Sequence, residues 1–128
     1  MRRGGRTVAL LCAAGSLAVA GESAAQEKVS GEALFRQQCA VCHAAVKDEP
    51  HRMGPTLWGM VGRKAGSLAD FSYSPEFKKA MGGKPWSEAL LDTWLTDPQA
   101  LAPGTTMGYQ QADAAKRAAI VEYLKTLK

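Results

Sequence analysis

The stretch Cys39-Ala40-Val41-Cys42-His43 decides the reading of this chain. It has the form C-x-x-C-H. Two thiols at that separation can add to the two vinyl groups of a haem as thioethers. The histidine that follows can place an imidazole nitrogen on the iron as proximal ligand. Ala40, Val41 and Ala44 are small, so a porphyrin can come close to the backbone. C-x-x-C alone is less specific, since it also describes a thioredoxin-like redox pair, half of a zinc site or a disulfide. The rest of the chain weighs against these rivals. A structural zinc site takes four N or S ligands, whereas beyond residue 25 the chain holds only Cys39, Cys42, His43 and His51. A thioredoxin-like pair belongs in a βαβ setting, and strand-forming residues are scarce: Ile120 is the sole isoleucine and the valines are few and scattered. One covalently held haem c is the expectation.

Upstream of the motif the chain reads as an export signal. Arg2, Arg3 and Arg6 precede the apolar run Val8 to Ala20, and Ala18-Val19-Ala20 and Ser23-Ala24-Ala25 both offer small-residue cleavage sites. That layout is a secretory signal peptide over residues 1–25, with cleavage after Ala20 or Ala25. The run of 13 residues is short of the roughly 20 that a membrane span requires, which disfavours the rival reading of a retained anchor. Cys12 leaves with the signal, and Leu11 before it argues against lipidation. A periplasmic protein spanning 26–128 is expected. Without Arg2, Arg3, Arg6 and Glu22, 13 basic and 11 acidic side chains remain. The sequence pI of about 9.1 is therefore no argument for nucleic-acid binding.

Downstream, the composition favours short helices joined by long loops, an all-α fold. A first helix is predicted over about Gly31–Cys39, with Ser30 as cap and Leu34, Phe35 and Gln38 on one face. From Ala44 to Asp70, Gly54, Pro55, Gly59, Gly62 and Gly66 interrupt any regular element. Ser74 and Pro75 open a second helix that Gly82 ends in the left-handed conformation. Ser87 caps a third, with Trp86 stapled to Leu91 and a buried face of Leu90, Leu91, Trp94 and Leu95, and Asp97-Pro98 stops it. Gln99 to Gln111 is read as a second loop. Asp113 caps a last helix running to about Lys125, with Lys116, Ala119, Ile120, Tyr123, Leu124 and Leu127 on one face. Four short helices in about 100 residues make a thin core, and an apolar ligand at the centre would fill it.

An iron held by His43 has a sixth position. Met53, Met60, Met81, Met107 and His51 are the candidates. Met107 is best placed. It follows the turn Pro103-Gly104-Thr105-Thr106 and lies far along the chain from His43. A thioether ligand raises the potential of the iron. His51 reads as a loop histidine bonded to backbone, and Trp58 as packing.

Several motifs in order then resemble the class I cytochromes c of the mitochondrial and bacterial periplasmic type. They are Gly31 with Phe35; Cys39 to His43; Gly54-Pro55-Thr56-Leu57-Trp58-Gly59; Gly62-Arg63-Lys64-Ala65-Gly66; Phe71-Ser72-Tyr73-Ser74; Trp86; Trp94-Leu95 with Pro98; Pro103 to Met107; and Ile120 with Tyr123-Leu124-Lys125. The resemblance covers Gly31 to Lys125. It implies that Gly31 and Phe35 meet Ile120 and Tyr123 where the terminal helices cross. It implies that the Pro55 carbonyl accepts from the free nitrogen of His43, and that Arg63, Tyr73 and Trp86 surround the haem propionates. Trp94 falls near Met107, where the family commonly has a Tyr whose hydroxyl can bond the Met sulfur. Thr106 replaces a lysine often found before the Met, and Tyr109 stands near the usual docking-edge Phe, so a fully basic docking ring is not expected.

The function implied is electron transfer without catalytic residues, by a monomeric carrier that docks transiently on donor and acceptor proteins. Lys78, Lys79 and Lys84 are candidates for a face that meets acidic partners. No nucleic acid and no lasting membrane insertion are expected. The alternatives are a haem subunit of a periplasmic oxidoreductase, and a haem peroxidase or ligand sensor whose sixth ligand is labile.

Overall fold

A computed structural model describes residues 29–128; residues 1–25, read as the export signal, lie outside the described residues. Five helices follow in order: α1 (Gly31–Gln38), α2 (Pro75–Met81), α3 (Glu88–Thr96), α4 (Pro98–Leu101) and α5 (Ala114–Lys125). Among the described residues, extended pairing is confined to one antiparallel bridge, Lys64 with Pro85. The fold is all-α, as the resemblance to the class I cytochromes c implies.

Each helix begins where a side-chain oxygen can take up an orphan backbone N–H. Ser30, Ser74 and Ser87 accept from Ala33, Phe77 and Leu90. Asp113 accepts from both Ala115 and Lys116. Three expectations are corrected. The segment after Asp97 is not all loop: Asp97 accepts from Gln99 at 3.0 Å and Pro98 supplies the first turn, so the dipeptide that ends α3 also starts α4. Gly82 keeps a negative φ of -50°, and the left-handed residue is Gly83 at φ 79°. Glycine at 82 answers a steric need instead, because a Cβ there would lie 2.4 Å from the Lys78 carbonyl. On α3 Leu90 is half-buried, while Val121 on α5 is buried.

The terminal helices form the principal crossing. Gly31 lies so close to α5 that an added Cβ would stand 1.9 Å from the Ala119 carbonyl oxygen, and Phe35 meets Tyr123 with ring centroids 5.3 Å apart. Leu34 and Phe35, Leu91, Trp94 and Leu95, and Ile120 and Leu124 share one core with Phe77 and Met81 from α2. The long loop is fixed by backbone bonds to segments far away in sequence. Gly54 N donates to the Cys42 carbonyl at 2.7 Å, Gly59 N to Leu127 at 2.6 Å and Gly62 N to Trp86 at 2.8 Å. These bonds replace the regular ladders that its glycines preclude.

Candidate haem-binding site

The loops and helices enclose a cleft of about 370 Å³, within the range that takes a large organic ligand. Cys39, Cys42, His43, Pro55, Arg63, Tyr73, Trp86, Trp94 and Met107 all line it, so the structure brings every residue singled out for the site to one place.

The first wall follows α1. Its C-terminal turn delivers Cys39, buried, and Cys42, half-buried. Burial, reinforced by neighbouring Cys42, pushes the Cys39 thiol up to about 11. A redox-active C-x-x-C pair depends on a lowered thiol pKa, so this environment argues against that rival. Among the described residues no cluster of three or more His, Cys, Asp or Glu is arranged for a metal ion. His43 is locked in orientation: its Nδ1 donates to the Pro55 carbonyl at 2.8 Å, and a Cβ on Gly54 would sit 2.2 Å from its Cε1. Burial lowers the His43 pKa and the Pro55 bond opposes this, so the imidazole is held neutral. Its Nε2 has no hydrogen-bond partner among the described residues. A neutral imidazole with one nitrogen anchored and the other free is the state of an axial ligand.

The second wall is built by α3 and the turn after α4. Met107 is half-buried here, and Trp94 Nε1 donates to its sulfur at 3.2 Å. The indole therefore makes the bond for which the family commonly uses a tyrosine hydroxyl. Trp94 is itself fixed by Phe77 and Trp86, at ring distances of 5.4 and 5.7 Å. The other candidates for a sixth ligand stand differently. Met81 is fully buried in the core; Met60 is buried and Met53 is 76% exposed, and both also line the cleft. His51 Nδ1 accepts from Thr56 N at 2.9 Å. Its Nε2 lies 3.0 Å from Asp70 Oδ1 but is poorly aimed for a hydrogen bond. That is the structural role read from the sequence.

One group that sequence reasoning missed is Gln99. Its amide donates to the carbonyls of Thr105 (2.7 Å) and Met107 (3.1 Å) and accepts from Gly104 N at 3.0 Å. A single side chain thus braces the whole turn that presents Met107. No spacing signal marks it, because its role appears only once α4 has formed.

At the far end of the cleft Arg63 donates to the Trp58 and Thr56 carbonyls, each at 2.9 Å. Burial lowers its pKa and the adjacent Tyr73 opposes this. No carboxylate of the described residues pairs with it. A partly buried guanidinium with spare donors and no counter-ion suits a bound anion. The vinyl and propionate groups of haem lie on opposite edges of the porphyrin. A haem joined to Cys39 and Cys42 would leave its anionic edge for the end of the cleft lined by Arg63, Tyr73 and Trp86. The residues fit the group at both ends.

Comparison with known proteins identifies a family. Residues 29–128 match the family described as Cytochrome c. The chain is 40% identical over 103 residues to cytochrome c2 of Rhodopila globiformis, covering 80% of this chain and 94% of the relative. It is 37% identical to cytochrome c2 of Rhodopseudomonas palustris, covering 94% of each, and 36% identical to cytochrome c of Chlamydomonas reinhardtii, covering 81% and 92%. With a C-x-x-C-H motif, an anchored histidine and a guanidinium without a carboxylate partner in one cleft, the chain belongs to the cytochrome c family, as a class I member with a single covalent haem.

Proposed function

We propose that this protein carries single electrons between a donor and an acceptor protein, with His43 and Met107 as axial ligands and the periplasm as its compartment. The observation that carries the reading is the pairing of two fixed ligand groups on separate walls of one cleft: His43 held by Pro55 and Gly54, Met107 held by Trp94 and Gln99. When bound, the haem supplies an iron that gains and loses one electron. The chain keeps the surroundings of that iron the same in both states. Cys39 and Cys42 hold the ring covalently, Pro55 fixes the imidazole, Trp94 and Gln99 fix the thioether, and Phe77, Trp86 and Leu91 exclude water. A packed pocket that moves little makes reorganisation on electron transfer small. Arg63 offsets propionate charge.

Export rests on residues 1–25, with 26–128 as the mature domain. Among the described residues no helix is long and apolar enough to cross a membrane. A monomer that docks transiently is consistent with small redox interfaces. The test is a spectrum of the matured protein. A ferric sulfur-to-iron charge-transfer band at the red edge that vanishes in Met107→Ala, with the haem mass retained, supports Met107 as sixth ligand. Absence of that band from the wild type refutes the ligation and returns the open-site reading.

A further inference from the structure

Met107 sits in the middle of a segment that its own backbone does not hold. From Thr106 to Gln110 no backbone N–H or carbonyl bonds another backbone group among the described residues. A segment of this kind opens at little cost unless side chains close it. On the side before Met107 the closure is Gln99. On the side after it the closure is a triangle of side chains that reaches across to α1.

Tyr109 Oη donates to Gln38 Oε1 at 2.6 Å, Gln111 Nε2 donates to the same oxygen at 3.0 Å, and the phenol oxygen accepts from Gln111 Nε2 at 3.4 Å. All three residues are half-buried, where a hydrogen bond is stronger than in water. Both ends of this clasp are fixed. Gln38 is the last residue of α1 and adjoins Cys39. Gln111 N donates to the Leu95 carbonyl of α3 at 2.8 Å, and Gln111 Oε1 accepts from Asp113 N at 3.1 Å. Arg117, paired with Asp92, donates to the Gln111 carbonyl at 3.0 Å. Tyr109 stands two residues after Met107, so the turn cannot swing outward on this side without breaking the bond to α1. The other side-chain bond here, from Gln110 to Asp97 at 2.9 Å, is exposed to competing water.

We infer that Gln38 and Tyr109 are positioning residues for the sixth ligand of the iron: their bond keeps the Met107 turn closed against α1, and so keeps small nitrogenous ligands from displacing the Met107 thioether. The inference rests on the proposal that Met107 is that ligand. An external ligand reaches the iron only when the turn is open. Its apparent affinity therefore scales with the fraction of molecules in the open state.

The experiment titrates ferric holoprotein with imidazole and follows loss of the sulfur-to-iron charge-transfer band, with guanidinium unfolding measured alongside. Tyr109→Phe keeps the ring and removes the donor, and Gln38→Leu removes the acceptor. Each should bind imidazole about fivefold more tightly than wild type, the factor expected when the closed state loses one neutral hydrogen bond. Gln38→Glu, which keeps an acceptor oxygen, should bind as wild type does. A bond that served the fold alone would lower the unfolding midpoint and leave imidazole affinity untouched, and that result in both Tyr109→Phe and Gln38→Leu would overturn the inference. Failure of the ligation reading looks different: the wild type itself lacks the charge-transfer band and binds imidazole as tightly as Met107→Ala.

Discussion

Replacing Trp94 by Phe isolates one hydrogen bond at the site. Trp94 Nε1 donates to the Met107 sulfur at 3.2 Å, and Trp94 is 5% exposed. A donor on the thioether withdraws electron density from it. With Met107 as the proposed sixth ligand, a ferric iron would need that density more than a ferrous one, so the bond would favour the reduced state. A buried neutral hydrogen bond is worth about 1 kcal/mol net. If half to all of it differs between the two oxidation states, then at about 59 mV per 1.4 kcal/mol for one electron the midpoint falls by roughly 20–40 mV. Phe keeps a ring against Phe77 and Trp86 but leaves a void. Stability should therefore drop by about 1–3 kcal/mol, and the two effects must be read separately. The assay is a spectroelectrochemical titration with the charge-transfer band monitored. Trp94→Tyr, which restores a donor, should return the midpoint toward wild type. An unchanged or raised midpoint in Trp94→Phe, with the band intact, would refute the reasoning.

Other perturbations follow from the same structure. Gly31→Ala forces a Cβ to within 1.9 Å of the Ala119 carbonyl, so the terminal helices must separate. A loss of about 1–3 kcal/mol is expected in guanidinium unfolding of the holoprotein, and unaltered stability would show that the crossing tolerates a methyl. Gln99→Ala removes three bonds from the turn presenting Met107. The charge-transfer band should then be lost at lower alkaline pH than in wild type, while its neutral-pH spectrum persists. Asp70 is held below its ordinary 3.8 by the His51 ring beside it. Its folded pKa is the lower one, so its contribution is present above the unfolded value and is lost as the pH falls through the folded value. Asp70→Asn should therefore be less stable than wild type at neutral pH, and the two acid-unfolding curves should converge below the ordinary carboxylate range. A gap that persists there would place the effect elsewhere.

Residues whose roles depend on local chemistry were legible in the sequence. Ser30, Ser74, Ser87 and Asp113 cap helices because their oxygens need only reach two or three residues ahead. Cys39 to His43 declares its ligand because the spacing of the sulfurs matches the ligand's own geometry. Groups that work through distant contacts were not legible. Gln99 and the Gln38–Tyr109–Gln111 clasp join parts of the chain up to 73 residues apart, and an isolated glutamine carries no periodicity. The short α4 was hidden for a related reason: Pro98 reads as a stop, while Asp97 before it turns the same residue into a start. Whether an indole would reach the Met107 sulfur depended on how Phe77 and Trp86 aim the ring, which only packing determines.

The embrace of α1 and α5 has a consequence for biogenesis. Among the described residues the two partners of this crossing are the first and last helices to be made, so the crossing cannot close until almost the entire polypeptide is available. Until then Cys39 and Cys42 lie on a chain whose terminal helices have not met. Closure afterwards buries Cys39 and seals the product. Gly31 is what lets that last-made helix come so close.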